Sequence, residues 1–211
     1  RASTCTCTLS RAGAFLRATS GGLTALNPAM AALLCRLAFA AAPSGMPDLR
    51  LLDPCCGAGT IPIEAAQAAG GARLAAALGV DVDARCVADA RANIAASGTG
   101  GVVAARCLDA LALSASADAP PPFDLAVSDL PFGVKHASFR SNREFYGQLL
   151  AELHAGLAEG GAAVLLCVQK KLMLRLLGGA QRKWEILATH DVHVGKGSLN
   201  GTVLVLRRLS T

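Results

Sequence analysis

The sequence predicts an α/β fold: a mainly parallel, seven-stranded sheet with helices on both faces and an antiparallel hairpin at its carboxyl-terminal end. Three observations predict it. From residue 49 onward, short apolar runs alternate with helical segments, and successive βα units join parallel strands by right-handed crossovers. The run "AAVLLCVQ" (162–169) is almost continuously apolar, as a strand covered on both faces must be. The last two runs, "WEILATHDVHV" and "GTVLVLRRL", are linked by "GKGSLN" and read as a hairpin.

Each element has its own warrant. "PAMAALLCRLAFAAAP" (28–43) is broken by Arg36 and stopped by Pro43. It falls short of the ~20 apolar residues a membrane span needs, so it reads as a buried or amphipathic helix. "LRLLD" (49–53) is a strand, and "TIPIEAAQAAG" a helix that stops at Gly70-Gly71. "LAAALGVD" (74–81) holds the second strand. "DARCVADARANIAASG" (83–98) is a helix with Cys86, Val87, Ala90 and Ile94 on one face. "GVVAARCLD" (101–109) is the third strand, "ASADAPPP" a loop, and "FDLAVSD" (123–129) the fourth strand. "NREFYGQLLAELHAGLAEGG" (142–161) reads as a helix with a glycine stop, and "KKLMLRLLGG" (170–179) as the last helix.

At 211 residues the chain suits one sizeable core rather than two. Residues 23–211 are expected to form that domain, with 1–22 an extension or linker remnant. The chain opens without an initiator methionine, and "RASTCTCTLS" lacks the apolar stretch of a secretory signal. Eight cysteines form no C-x-x-C pair, which argues for structural thiols in a reducing, intracellular and cytoplasmic setting, with no metal site. Cys107 and Cys167 fall in apolar strands and are expected to be buried. His190 and His193 are expected on opposite faces of a strand, which disfavours a metal site there.

The net charge of +5 is unevenly spread. Residues 51–130 carry four arginines against nine acids; residues 131–211 carry eleven Lys or Arg against five acids. A basic rim around an acidic centre suits a polyanionic substrate approaching a small cofactor held by carboxylates.

Two turns carry the chemistry. In "LLDPCCGAGTIPIEAA" (51–66), Gly57 and Gly59 follow a buried strand and permit close backbone approach to a ligand. Pro62 stands where a dinucleotide-binding turn has its third glycine, which disfavours a pyrophosphate cofactor. Asp53, Asp81 and Asp109 each end a successive strand. Together they suit a cationic amino-acid head, a ribose diol and an adenine amine, the features of S-adenosylmethionine. Asp81 is assigned the ribose hydroxyls; Cys55 and Thr60 flank the same turn.

The second turn, "FDLAVSDLPFG" (123–133), ends the fourth strand. Asp129 and the Leu130 carbonyl can accept the two N–H hydrogens of an exocyclic amine, raising its nucleophilicity and aiming its lone pair. Pro131 holds Leu130 extended, and Phe132 offers a stacking face for the base. The turn lacks the cysteine that ring-carbon methylation requires.

These motifs resemble the THUMP-domain-containing guanosine N2-methyltransferases that modify tRNA. The residues that match are Asp53-Pro54-Cys55-Cys56-Gly57-Ala58-Gly59 and Asp129-Leu130-Pro131-Phe132-Gly133, with "TIPIEAA", "FYGQLLAEL" and "VHVGKGSLNGTVLVLRR" around them. "LNPAMAALLCRL" resembles the segment covering the cofactor, departing at Asn27 and Ala29. The resemblance runs from about Leu23 to Arg208. It implies a class I, Rossmann-like methyltransferase domain, S-adenosylmethionine as cofactor, an N-terminal THUMP domain outside this chain, and a small zinc-binding activator subunit as partner. Lys135, Arg140, Arg143, Lys170 and Lys171 follow the catalytic turn and the fifth strand, where they would contact RNA phosphates. No membrane association is expected. Three readings stand at this point: N2-methylation of guanosine, first of all in tRNA; N6-methylation of adenine in RNA or DNA; and an inactive RNA-binding scaffold.

Overall fold

The computed structural model describes residues 26–43, 45–46, 48–68, 74–118, 122–131, 139–179, 183–194 and 199–210. Seven strands form one sheet: β1 (Leu49–Asp53), β2 (Leu74–Asp81), β3 (Val103–Cys107), β4 (Phe123–Asp129), β5 (Leu157–Cys167), β6 (Trp184–Val194) and β7 (Leu199–Arg208). Among the described residues five α-helices accompany them, α1 (Pro28–Ala41), α2 (Thr60–Ala68), α3 (Ala84–Ser97), α4 (Phe139–Gly156) and α5 (Lys170–Leu177), with one short 3-10 turn at Leu113–Ala115.

The strand order is β3-β2-β1-β4-β5-β7-β6. Strands β1 to β5 run parallel, while β7 is antiparallel to both β5 and β6. Side chains alternate between two cores. Leu49 and Leu51 of β1, Leu125 and Val127 of β4, and Val164 and Leu166 of β5 pack on one face with Leu34, Ile63 and Ala90 of α1, α2 and α3. Leu52, Ala126 and Leu165 point the other way, toward Tyr146, Leu149 and Leu153 of α4 and Met173 of α5. Both faces are therefore covered, which is why β4 and β5 are apolar nearly throughout.

Helix α1 is capped at its start: the Asn27 side chain accepts from Ala29 N at 2.8 Å and Pro28 occupies the first turn. Its buried residues, Ala31, Leu34, Cys35 and Ala38, keep helical spacing, so the apolar run is an amphipathic helix laid on the sheet. In α3 the expected face is the buried one, and Gly98 ends the helix in the left-handed conformation at φ +71°.

Three expectations need correction. Helix α4 runs through Gly147 and stops at Gly156, not at Gly160-Gly161. Leu157 pairs with Phe123, and the register then slips so that Leu125 faces Ala162. The intervening residues bulge, with Gly160 at φ +73°. A Cβ on Gly161 would lie 2.8 Å from the Ala158 carbonyl oxygen and 3.0 Å from that of Asp124. Burial of Leu157 in the sheet outweighs the helical pattern that continues through it. Strand β3 is shorter than the run that predicted it. Its last residue, Cys107, is exposed, because β3 is the sheet's edge strand and only Val103 and Ala105 are well covered. Cys167 is buried as expected, and His190 and His193 are both exposed.

Among the described residues no helix is long and apolar enough to cross a membrane, and no group of three or more potential ligands could hold a metal ion.

Candidate functional site

Order reverses between β1 and β4, which pair side by side through Leu51–Leu125 and Leu52–Ala126. A crevice opens outside the carboxyl ends of such a pair. Both unusual turns leave the sheet there, one from Asp53 and the other from Asp129. They are joined at their bases: Ser128 Oγ donates to Asp53 Oδ1 at 2.7 Å, a bond fully buried and spanning 75 residues of chain.

Pro54 to Gly59 carry the chain from β1 into α2. Cys56 N donates to the Val80 carbonyl at 2.8 Å, and Gly57 N to Asp81 Oδ2 at 3.0 Å. Asn93 of α3 reaches the Ala58 carbonyl through Nδ2 at 3.0 Å. The turn is thus tied to β2 and α3 by three bonds. Its two glycines do different work. Gly59, at φ +82°, faces α3, where an added Cβ would lie 3.1 Å from Ala90 Cβ. Gly57, at φ +50°, has nothing within 4 Å of that position and fronts open space. The space beside Gly57 is open among the described residues, whereas Gly59 lets the turn seat against α3. Gly79 completes the arrangement, since a Cβ there would lie 2.8 Å from Cys56 Cβ.

The acids separate into distinct roles. Asp53 is buried; its Oδ1 accepts from Ser128 Oγ and from Cys55 N at 3.2 Å, while Oδ2 has no partner among the described residues. Burial pushes its carboxyl up to about 7, against the pull of those two bonds and with a further push from Asp129 and Asp81. Asp129 Oδ1 is likewise buried and unpartnered, and burial raises its carboxyl to about 7. Asp81 braces the turn: Oδ2 holds Gly57 N and Oδ1 accepts from Asp83 N at 2.9 Å. A carboxylate carries about four lone-pair sites, so these bonds leave room for hydroxyls. Asp109 lies two residues past β3, is exposed, and accepts from Leu111 N at 2.8 Å. Thr60 is buried at the start of α2, and Cys55 is half-buried with its thiol pushed up by burial.

On the acceptor side, Leu130 is buried and its N donates to the Leu166 carbonyl at 2.9 Å. Pro131 carries a carbonyl that accepts from Tyr146 Oη at 3.0 Å. Phe132 and Lys135 lie outside the described residues, as does the Arg140 side chain. Arg143 and Lys171 are exposed. Lys170 Nζ is engaged by both Asp191 oxygens, at 2.8 and 2.9 Å, and Thr202 Oγ1 donates to the same carboxylate.

Sequence reasoning missed four residues here. Ser128 and Tyr146 hold the two turns from below, Asn93 latches the glycine turn, and Val82, an apolar side chain 75% exposed, directly follows Asp81 at the end of β2. Val82 did carry a signal, an apolar residue between two acids in "DVD". A separate cavity of about 250 Å³, between Arg50, Arg106, Asp118 and Phe123, opens at the amino-terminal end of the sheet, away from these turns.

The donor set fits a small organic cation with hydroxyl groups: two buried carboxylate oxygens without partners among the described residues, a bracing carboxylate with spare lone pairs, and an open glycine backbone. Comparison with known families agrees. The family described as "RMKL-like, methyltransferase domain" matches residues 17–199.

The chain belongs to this methyltransferase-domain family.

Among curated relatives, the tRNA (guanine(6)-N(2))-methyltransferase THUMP3 of Bos taurus is 35% identical over 86 residues, 40% of this chain and 17% of that protein. The Mus musculus THUMP3 matches to the same extent. Among solved structures, TrmN from Thermus thermophilus is 28% identical, with a TM-score of 0.72 over 91% of this chain and 51% of TrmN. A class I S-adenosylmethionine-dependent methyltransferase from Listeria monocytogenes superposes with a TM-score of 0.73 over 94% of this chain and 66% of its own, at 15% identity. The family member described here therefore has the class I methyltransferase fold expected from its sequence. The matched segment covers about a sixth of the length of the THUMP3 relatives, and the superposition about half of TrmN.

Proposed function

We propose that residues 23–211 are the catalytic domain of an S-adenosylmethionine-dependent RNA methyltransferase that forms N2-methylguanosine in tRNA. The observation that carries this reading is the pair of unpartnered buried carboxylate oxygens, on Asp53 and Asp129, at the foot of two turns that share one crevice. The two THUMP3 relatives, tRNA (guanine(6)-N(2))-methyltransferases, support the choice of tRNA and guanine.

Asp53 Oδ2, Asp81 and the Gly57 backbone would hold S-adenosylmethionine, with Cys55, Gly59, Thr60 and Asp109 completing its surroundings. When bound, that cofactor supplies an electrophilic methyl group. The chain's own residues prepare the nucleophile. Asp129 Oδ1 accepts one N–H of the guanine amine, and the Leu130 carbonyl accepts the other. Tyr146 occupies the neighbouring Pro131 carbonyl, so the turn presents its acceptors in one orientation. Once nitrogen has formed its bond to carbon, it carries a surplus proton. A carboxyl held at about 7 by burial takes that proton near neutrality. Positioning and preorganised charge supply the rate enhancement. Phe132 would stack on the base, which must leave its helical stack to enter.

Lys135, Arg140, Arg143 and Lys171 would contact phosphates along the crevice mouth, with Lys170 clamped behind them. A small zinc-binding activator subunit, a THUMP domain elsewhere in the protein and a cytoplasmic location complete the reading. The test is transfer from labelled S-adenosylmethionine to total tRNA, with and without the activator, followed by nucleoside digestion. Label is expected in N2-methylguanosine. Label in N6-methyladenosine overturns the guanine assignment, and no label in either condition overturns the assignment as an enzyme.

A further inference from the structure

The unpartnered atoms of the site include one that neither cofactor binding nor amine activation uses. Gln169 lies two residues beyond β5, as the N-terminal cap of α5, yet its side chain caps nothing. Its backbone carbonyl already takes Leu172 N and Met173 N, both at 3.0 Å. The side-chain Oε1 is buried and has no hydrogen-bond partner among the described residues. A buried amide oxygen left unpaired is unfavourable, and glutamine at a cap position gains nothing there that asparagine or serine would not provide better.

Its place in the fold gives it something to bind. Strands β4 and β5 run parallel with Asp129 opposite Leu166, and Leu130 N donates to the Leu166 carbonyl. The ends of the two strands therefore leave the sheet together, and Gln169 follows Leu166 by three residues on the same carboxyl edge as the D-L-P turn. The chain just beyond is fixed, because Lys170 is clamped by Asp191, itself held by Thr202 of β7. The Gln169 backbone is thus held at the start of α5, on the sheet edge from which the acceptor turn also leaves.

We propose that Gln169 is the specificity-determining residue of the acceptor site, reading the base edge next to the reacting amine. This rests on the guanine-N2 reading above. In guanine the N2 amine is followed along the same edge by the N1–H donor and the O6 acceptor. A carboxamide matches that pair: Oε1 accepts from N1–H and Nε2 donates to O6. With Asp129 and the Leu130 carbonyl engaging N2, Gln169 completes recognition of the whole edge.

2-Aminopurine is the discriminating probe, since it keeps the 2-amine but has a bare N1 acceptor and no O6. tRNA assembled from synthetic fragments carries either guanosine or 2-aminopurine riboside at the methylated position, and kcat/KM is measured for both. The wild-type enzyme should prefer guanosine by about 5- to 150-fold, as loss of a bidentate base contact implies. In Gln169→Leu that preference should collapse to within about threefold. In Gln169→Glu, which still accepts from N1–H, a preference for guanosine should persist. Binding of S-adenosylmethionine should be unchanged in both variants, which controls for folding. An undiminished preference in Gln169→Leu overturns the proposal while leaving the proposed reaction intact. No N2-methylation by the wild-type enzyme on guanosine tRNA would instead remove the reading on which it rests, and the proposal with it.

Discussion

At the scale of single residues, the site holds two carboxyls out of water, Asp53 fully and Asp129 in part. Asp53 and Asp129 are both raised to about 7 by burial, far above the ordinary carboxylate value of about 3.9. The sign follows directly. Between about pH 4 and pH 7 the unfolded chain ionises these groups while the fold keeps them protonated, so the fold binds more protons. Their contribution to stability is greatest below pH 4 and declines by about 1.4 kcal/mol per pH unit for each carboxyl until pH 7. Asp53→Asn removes one such contribution and keeps an oxygen to accept from Ser128 Oγ and Cys55 N. In the cofactor-free protein, the variant should be more stable than the wild type at pH 8. That advantage should narrow by about 1.4 kcal/mol per unit as pH falls from 7 toward 4, as read by urea unfolding across a pH series. Equal pH slopes for the two proteins would mean Asp53 is already ionised and compensated in the fold.

At the scale of elements, the acceptor turn is held from α4 and the donor turn from α3 and β2, so the two can be perturbed separately. Tyr146 is fully buried, and its hydroxyl satisfies the Pro131 carbonyl across the α4–turn boundary. Tyr146→Phe keeps the ring's packing and frees that carbonyl. The expected result is a fall in kcat of about tenfold or more with unchanged affinity for S-adenosylmethionine, measured by calorimetry alongside turnover. A matching loss of cofactor affinity would show that the two turns move as one. The elements themselves were legible because each strand is an apolar run and each helix repeats its apolar face, as Cys86, Val87, Ala90 and Ile94 do in α3. The boundary between α4 and β5 was not, because Leu157 fits the helical period and enters the sheet only through its long-range pairing with Phe123. Of the site's acids, Asp109 lies two residues beyond the end of β3, whereas Asp53, Asp81 and Asp129 announced themselves by ending strands. Ser128 and Tyr146 did not, since a hydroxyl's role depends on a partner 75 or 15 residues away that no local pattern encodes. Cys107 misled for a related reason: edge position is a property of strand order, not of the apolar run.

At the scale of the molecule, strand order and charge distribution act together. The middle of the sequence, with nine acids against four arginines, folds into β1 to β4 around the glycine turn; the basic carboxyl-terminal third forms α4, α5 and the β6–β7 pair beside it. Not every cation in that third is available to a polyanion. Lys170 and Asp191 neutralise each other, and Arg207 Nη1 lies 3.4 Å from Glu185 Oε2. Arg143 and Lys171 are exposed on α4 and α5, the two helices that follow the acceptor turn and β5. If tRNA crosses these helices, each phosphate contact releases counterions and steepens the dependence of binding on salt by about 0.7 to 0.9 in the logarithmic slope. The double variant Arg143→Ala/Lys171→Ala should therefore weaken tRNA binding and flatten that slope by about 1.4 to 1.8, measured by filter binding over a salt series. Lys170→Ala should leave the slope nearly unchanged, because it removes a charge that Asp191 already cancels. Should Lys170→Ala flatten the slope as much as the double variant, the clamp must open on RNA binding, and the surface facing the nucleic acid would extend to β6.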